Sequence, residues 1–234
     1  MKLKRFDSEQ FLRNRHNHLL TALIVLFVIS PSLEVRDEVI RFPVVPLLLL
    51  LVLVTALRVE LPEKRIWRWI ASSVIGLGFG LNLAMYFFPD LSPPLIRSMR
   101  VFSALISVVF YSAAVFFLSR RLFRVREVNA DTIKAGVGAY LLLGFIWATL
   151  YGLLIHFDPH ALTVNSGGRP MLVHFSFTTL TTLGYGDIVP ATRIAAVLAD
   201  GEALAGQLYL AIFVARLIGL YIQNAAAAPA AEPR

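Results

Sequence analysis

Six apolar stretches, long enough or nearly long enough to cross a bilayer, constrain this 234-residue chain more than any other feature: Leu19–Leu33, Phe42–Leu57, Trp69–Pro89, Val101–Ser119, Ala135–Ile155 and Ile194–Tyr221. Five carry no charge, and the sixth is broken only by Asp200, Glu202 and Arg216. A spanning helix needs about 20 apolar residues, within a range of about 17–25. The first two stretches are short and need flanking side chains to reach the interfaces. With no water in the hydrocarbon to satisfy peptide groups, such stretches can only be helices. The mean hydropathy of +0.70 and 57% hydrophobic content exclude an ordinary soluble domain. The expected class is an all-α membrane protein with six transmembrane helices.

The net charge of +7 is not gathered into a nucleic-acid-binding patch. Basic residues cluster before the first span (Lys2, Lys4, Arg5, Arg13, Arg15). They recur between the second and third (Arg58, Lys64, Arg65, Arg68, against Glu60 and Glu63) and between the fourth and fifth (Arg120, Arg121, Arg124, Arg126, Lys134, against Glu127 and Asp131). The alternate loops are poor in base, with Glu34, Arg36, Asp37, Glu38 and Arg41 in one and Asp90 in the next. Positive loops mark the cytoplasmic side. The pattern therefore predicts a multi-pass protein of the cell (plasma) membrane with both termini cytoplasmic, partnered by lipid and not by nucleic acid. Cysteine is absent, so thiol chemistry is excluded. The N-terminal apolar run has no small-residue cleavage site and is expected to stay as a span.

Four regions follow: a four-span N-terminal membrane domain over 1–119, a basic cytoplasmic linker over 120–134, a pore-like domain over 132–222, and an Ala/Pro-rich tail over 223–234 expected to be disordered. Within the third region, Met171–Thr182 is too short to cross as a helix. Non-helical backbone at membrane depth must be buried in protein or line a wet cavity. A half-helix from about Arg169-Pro170 to Thr181 and then an extended, Gly-rich strand satisfies that rule, with the helix C-terminus turning its negative end inward. Pro190 stops the return strand, and Thr192 is placed to N-cap the last helix.

That strand, Thr182-Leu183-Gly184-Tyr185-Gly186-Asp187, resembles the selectivity filter of the potassium-channel family, and residues 132–222 resemble its two-helix pore module. The resemblance implies a re-entrant pore helix and filter. Carbonyls of Thr182, Leu183, Gly184, Tyr185 and Gly186, with the Thr182 hydroxyl, would bind a dehydrated potassium ion in stacked rings. It also implies a homotetramer, because each chain supplies one quarter of every ring. Filter support is expected from Asp187, Thr178, Phe175 and Glu202. Phe175 would pack behind Tyr185. His174 stands where many members have Trp, and Thr178 where some have an acid, so Asp187 must find another donor. The family's spacing puts a hinge glycine at Gly206, with close helix packing as the alternative reading. Gln207, Leu210, Val214 and Ile218 share one helical face, expected to line the pore.

Other motifs carry less. Arg97 and Arg100 have sensor spacing, but Ser103, Ile106 and Val109 continue it without charge, so strong voltage gating is not expected. Arg216 is expected to snorkel to the cytoplasmic interface. His156, Asp158 and His160 alternate around Pro159 and suggest a weak metal cluster, with interfacial histidines as the plainer reading. Gly76, Gly78 and Gly80 lie mid-span and read as packing sites. The leading function is passive, potassium-selective conduction, with potassium as permeant ion, no other metal, no cofactor and no enzymatic activity. The alternative is a non-conducting or regulatory membrane subunit with a channel-like pore module.

Overall fold

The structure, a computed structural model, describes residues 15–34, 65–88, 90–125, 129–165 and 167–227. The second apolar stretch, Phe42–Leu57, lies outside the described residues. So do Lys2, Lys4, Arg5, Arg13, Arg58, Glu60, Glu63, Lys64, Arg126, Glu127 and the tail from residue 228. The described elements run α1 (Arg15–Glu34), α2 (Arg65–Phe87), α3 (Pro93–Arg124), α4 (Ala130–Phe157), β1 (Leu162–Val164), α5 (Leu172–Leu180), β2 (Ile188–Pro190) and α6 (Arg193–Ala227).

Three described helices are long and apolar enough to cross a membrane, over Pro93–Arg120, Ala130–Phe157 and Arg193–Asn224. They match the fourth, fifth and sixth expected spans. The first and third expected spans fall on α1 and α2. On α3, Phe102, Leu105, Val109 and Phe116 are exposed, as suits helices whose solvent is lipid.

Local chemistry sets the helix ends. Pro93 and Pro94 open α3, where missing N–H groups cost nothing. Asn129 caps α4: its side-chain oxygen accepts from Thr132 N at 2.9 Å and from Thr132 Oγ1 at 2.8 Å. The short helix α5 starts at Leu172, later than the Arg169-Pro170 expected, and ends at Leu180 with Thr181 as its C-cap. Pro170 drives Arg169 away from helical angles, and the left-handed Gly167 and Gly168 before it make a turn. At the other end, α6 continues through Ala227, so the first residues of the expected disordered tail are helical. Alanine is the best helix former, which suits the extension.

The core forms where α1, α3, α4 and α5 meet: Leu23 and Leu26 pack with Tyr111, Leu118, Leu142, Phe145 and Phe177. Phe177 of α5 is its centre. Its ring stands edge-on to Phe27 at 4.6 Å and to Phe145 at 5.6 Å. Small residues on α4 make the room: an added Cβ at Gly144 would come within 2.6 Å of the Phe177 ring, and one at Gly136 would meet Phe213. A second cluster joins Tyr151, Phe175, Leu162, Ile188 and Ala195. Above it, β1 and β2 pair antiparallel with Leu162 opposite Pro190 and Val164 opposite Ile188. The segment entering α5 is thereby tied to the segment leaving the strand 182–187.

Replacing Gly144 with Leu is expected to overpack this core, because Phe177 is held by rings on two sides. The cost should be about 1–3 kcal/mol or more. Thermal unfolding in detergent checks it, with Gly152→Ala as control, since a Cβ there meets Leu172 at an ordinary 3.5 Å.

Candidate functional site

Everything about residues 182–187 begins at the C-terminus of α5. The Thr178 carbonyl accepts two N–H groups, from Leu183 at 2.8 Å and Gly184 at 3.1 Å, and Thr182 N donates to Thr179 O at 2.9 Å. Both lone pairs of one orphan helix carbonyl are thus used to start the strand. The helix hydroxyls turn inward on their own backbone: Thr178 to Phe175 O at 3.0 Å, Thr179 to the same carbonyl at 2.8 Å, and Thr181 to Phe177 O at 2.7 Å. Thr178 is buried, and its carbonyl carries its part in the strand's support.

From here the backbone alternates. Thr182, Gly184 and Gly186 have φ of 58°, 54° and 74°, while Leu183 and Tyr185 between them do not enter positive φ. Glycine adopts such angles freely, whereas for a β-branched threonine they are an outlier that surrounding contacts must hold. Thr182 Oγ1 donates to Thr181 O at 2.6 Å and accepts from Gln207 Nε2 at 3.3 Å. All five residues 182–186 are exposed on the single chain, Leu183 by 57% and Tyr185 by 68%.

The far end of the strand is held from α5 and from β1. His174 Nε2 lies 2.9 Å from Asp187 Oδ2, and its ring stacks on Tyr185 at 5.8 Å and 7°. His174 is therefore the partner Asp187 needed. Phe175 does not pack behind Tyr185 as expected. Successive helical residues point about 100° apart, so Phe175 turns inward and meets Tyr151 at 4.8 Å. Asn165 was not singled out from the sequence. Its side chain donates to Gly186 O, and its backbone N donates to Asp187 O at 2.9 Å. Only the β1–β2 register brings it there, and no local motif announces it.

Behind α5 lies Glu202, fully buried. Tyr151 donates to its Oε2 at 2.7 Å, and the Ser176 hydroxyl bridges its Oε1 and the Gly144 carbonyl, 2.7 Å from the latter. One carboxyl group thus joins α6, α4 and α5. Its neighbour Asp200 is exposed. Gly206 sits against the end of α5, where an added Cβ would collide with the Leu180 carbonyl. These surroundings account for the glycine by close packing. Along α6, Gln207, Leu210, Val214 and Ile218 are all exposed on the single chain, and Phe213 is buried against α4. Leu208 is 52% exposed, so exposure alone does not separate the two faces.

Arg216 extends to backbone carbonyls at the end of α3. Its Nη2 donates to Phe123 O at 3.2 Å and Val125 O at 3.0 Å, closing the C-terminal end of α3. Arg97 donates to His156 Nε2 at 3.2 Å and lies over the Phe157 ring at 6.0 Å. Asp158 Oδ1 accepts from His160 N at 3.1 Å. Among the described residues no group of three or more His, Asp or Glu side chains is placed to hold a metal ion, so the alternating cluster does not assemble.

Comparison with known proteins agrees with this geometry over one region. Residues 139–223 match the family model described as an ion channel, a span running from within α4 through α5 and the strand into α6. The chain thus carries an ion channel domain. No curated protein and no solved structure matches the chain.

Replacing Glu202 with Ala should strand the Tyr151 hydroxyl, leave Ser176 only the Gly144 carbonyl and open a cavity, lowering stability by about 2–5 kcal/mol. Ser176→Ala removes one neutral partner and should cost about 1 kcal/mol. Thermal unfolding of both variants in detergent reads the ranking, and a Ser176→Ala loss equal to the Glu202→Ala loss would contradict it.

Proposed function

We propose that the chain is one subunit of a homotetrameric, potassium-selective channel conducting passively through four copies of the strand 182–186. The observation that carries this reading is the alternation of positive φ at Thr182, Gly184 and Gly186, begun by two N–H groups on the Thr178 carbonyl. An alternating backbone turns successive carbonyls toward one side, where they replace the water shell of a cation. One strand offers only a quarter of such a shell. The exposed Leu183 and Tyr185 favour the same count, since apolar and aromatic side chains beside a pore need neighbouring subunits to cover them.

The roles follow from position. Carbonyls of Thr182, Leu183, Gly184, Tyr185 and Gly186 coordinate the ion, and Asp187, His174 and Asn165 hold the strand's far end. Gln207 reaches Thr182 from α6, which supports placing Gln207, Leu210, Val214 and Ile218 along the pore. Hinge bending at Gly206 is a further proposed role, additional to the packing that its contact with Leu180 requires. Strong voltage gating is not part of the proposal: Arg97 is tied to α4, and the three-residue spacing of charge on α3 stops after Arg97 and Arg100, short of the three to four charges of a steep sensor.

Purified protein in liposomes should pass potassium and rubidium and largely exclude sodium, read as tracer flux under matched gradients. Gly186→Ala should abolish the flux. A Cβ there meets no atom of this chain, so the penalty comes from φ at 74° and not from a collision. Equal sodium and potassium flux through the wild type would overturn the selectivity.

The native chain has no cysteine, so single cysteines report without background. Cysteines at Gln207, Leu210, Val214 and Ile218 should react with a soluble thiol reagent and block flux. Phe213→Cys should react slowest, being buried against α4. Faster modification at 213 than at 207 and 214 would show that this face of α6 does not line the pore.

A further inference from the structure

Apart from residues 182–187 and their supports, a cavity of about 780 Å³ lies among α1, α2, α3, α4 and the first turn of α5. Its volume falls within the roughly 300–1,000 Å³ of sites that hold small amphiphilic molecules. The walls are mostly apolar, supplied by residues such as Leu26, Val101, Phe145 and Leu153, and the cavity reaches Leu172 and Val173 at the start of α5. A second cavity of about 520 Å³ adjoins it and shares Arg100, His156 and Pro159, adding Arg97.

The polar groups on these walls are committed, with one exception. Asn82 donates to Gly78 O and Ser103, Thr149 donates to Phe145 O at 2.7 Å, and His156 takes Arg97. Arg100 has no hydrogen bond or ion pair among the described residues, and no described carboxylate lines either cavity. Arg97 and Arg100 stand one turn apart on α3, beside the end of α4 that leads to the strand. Two cations at the membrane boundary, one without a partner, above an apolar pocket, describe the complement of an anionic headgroup with an acyl chain. Guanidinium groups bind phosphate with two parallel hydrogen bonds, which gives the site its preference for that charge.

We propose that this double cavity binds one anionic phospholipid per chain, drawn from the leaflet on the filter side. Its phosphate sits on Arg100, with Arg97 beside it, and one acyl chain fills the larger cavity toward Leu172 and Val173. The site stands independently of ion selectivity, because it is read by binding and not by flux.

The test uses the purified full chain in neutral detergent micelles, with bound lipid counted by native mass spectrometry. The probes are phosphatidylglycerol and phosphatidylcholine with identical acyl chains. Wild type should retain phosphatidylglycerol at concentrations where phosphatidylcholine has left. Arg100→Gln should weaken phosphatidylglycerol retention about fivefold to tenfold, and Arg100→Lys, which keeps the charge but loses the paired hydrogen bonds, should fall between it and wild type. Both variants alter an exposed side chain, so the comparison holds even if a cavity-filling variant misfolds. Ala104→Phe, with Arg100 intact, should weaken retention by obstructing the acyl chain. Soluble glycerol phosphate should not compete. Equal retention of the two lipids, or undiminished binding by Arg100→Gln, overturns the proposal. Competition by glycerol phosphate as strong as by the lipid also overturns it, pointing to a small-anion site instead.

Discussion

Two N–H groups converging on the carbonyl of Thr178 are the contact from which the rest of the channel domain is built. A helix that stops inside a membrane leaves carbonyls without partners, and lipid supplies none. Here the chain leaving the helix returns its own amides to that carbonyl, which forces the sharp change from helix to strand. The alternating φ at 182, 184 and 186 begins there. So does the placement of Thr182 against Gln207 of α6. Without an α5 held firmly in place, this backbone would have no reason to stay in an angle that threonine resists.

What holds α5 is a division of labour around its circumference. Phe177 faces α1 and α4 and is fixed by rings. Phe175 faces the cluster under the two-stranded sheet. Ser176 reaches Glu202, and His174 leans on Tyr185 and Asp187. Nine residues carry four different attachments. The buried carboxyl group contributes geometry more than raw stability, since burying an acid costs free energy that its hydroxyl partners only offset. Its value is that α4, α5 and α6 cannot shift separately without breaking one of its bonds. The absence of a side chain at Gly206 and at Gly144 matters in the same way, because the Leu180 carbonyl occupies that space at the first and the Phe177 ring at the second.

The first helices serve the same end from further out. Leu23, Leu26 and Phe27 of α1 close the core around Phe177. Arg216 reaches from α6 to the end of α3, so the α6 helix is joined to the N-terminal block by a cation on backbone carbonyls.

Much was legible in the residues themselves. Apolar stretches of spanning length, the twelve-residue segment too short to cross, the alternating glycines and the N-capping Thr192 are local patterns, and local physics acts on them wherever they occur. They determined α3, α4, α6, the short α5 and the alternating φ of the backbone at 182–186. Tertiary structure alone decided which side chains answer one another across the chain. Asp187 found His174 thirteen residues earlier, Gly186 found Asn165 through the β-register, and Glu202 found Tyr151 and Ser176 on other helices. His174 took the place against Tyr185 expected of Phe175, because a turn of about 100° between neighbours settles direction only once the helix is seated. Sequence spacing carries the period of an element, but its rotation about its own axis is set by what packs against it.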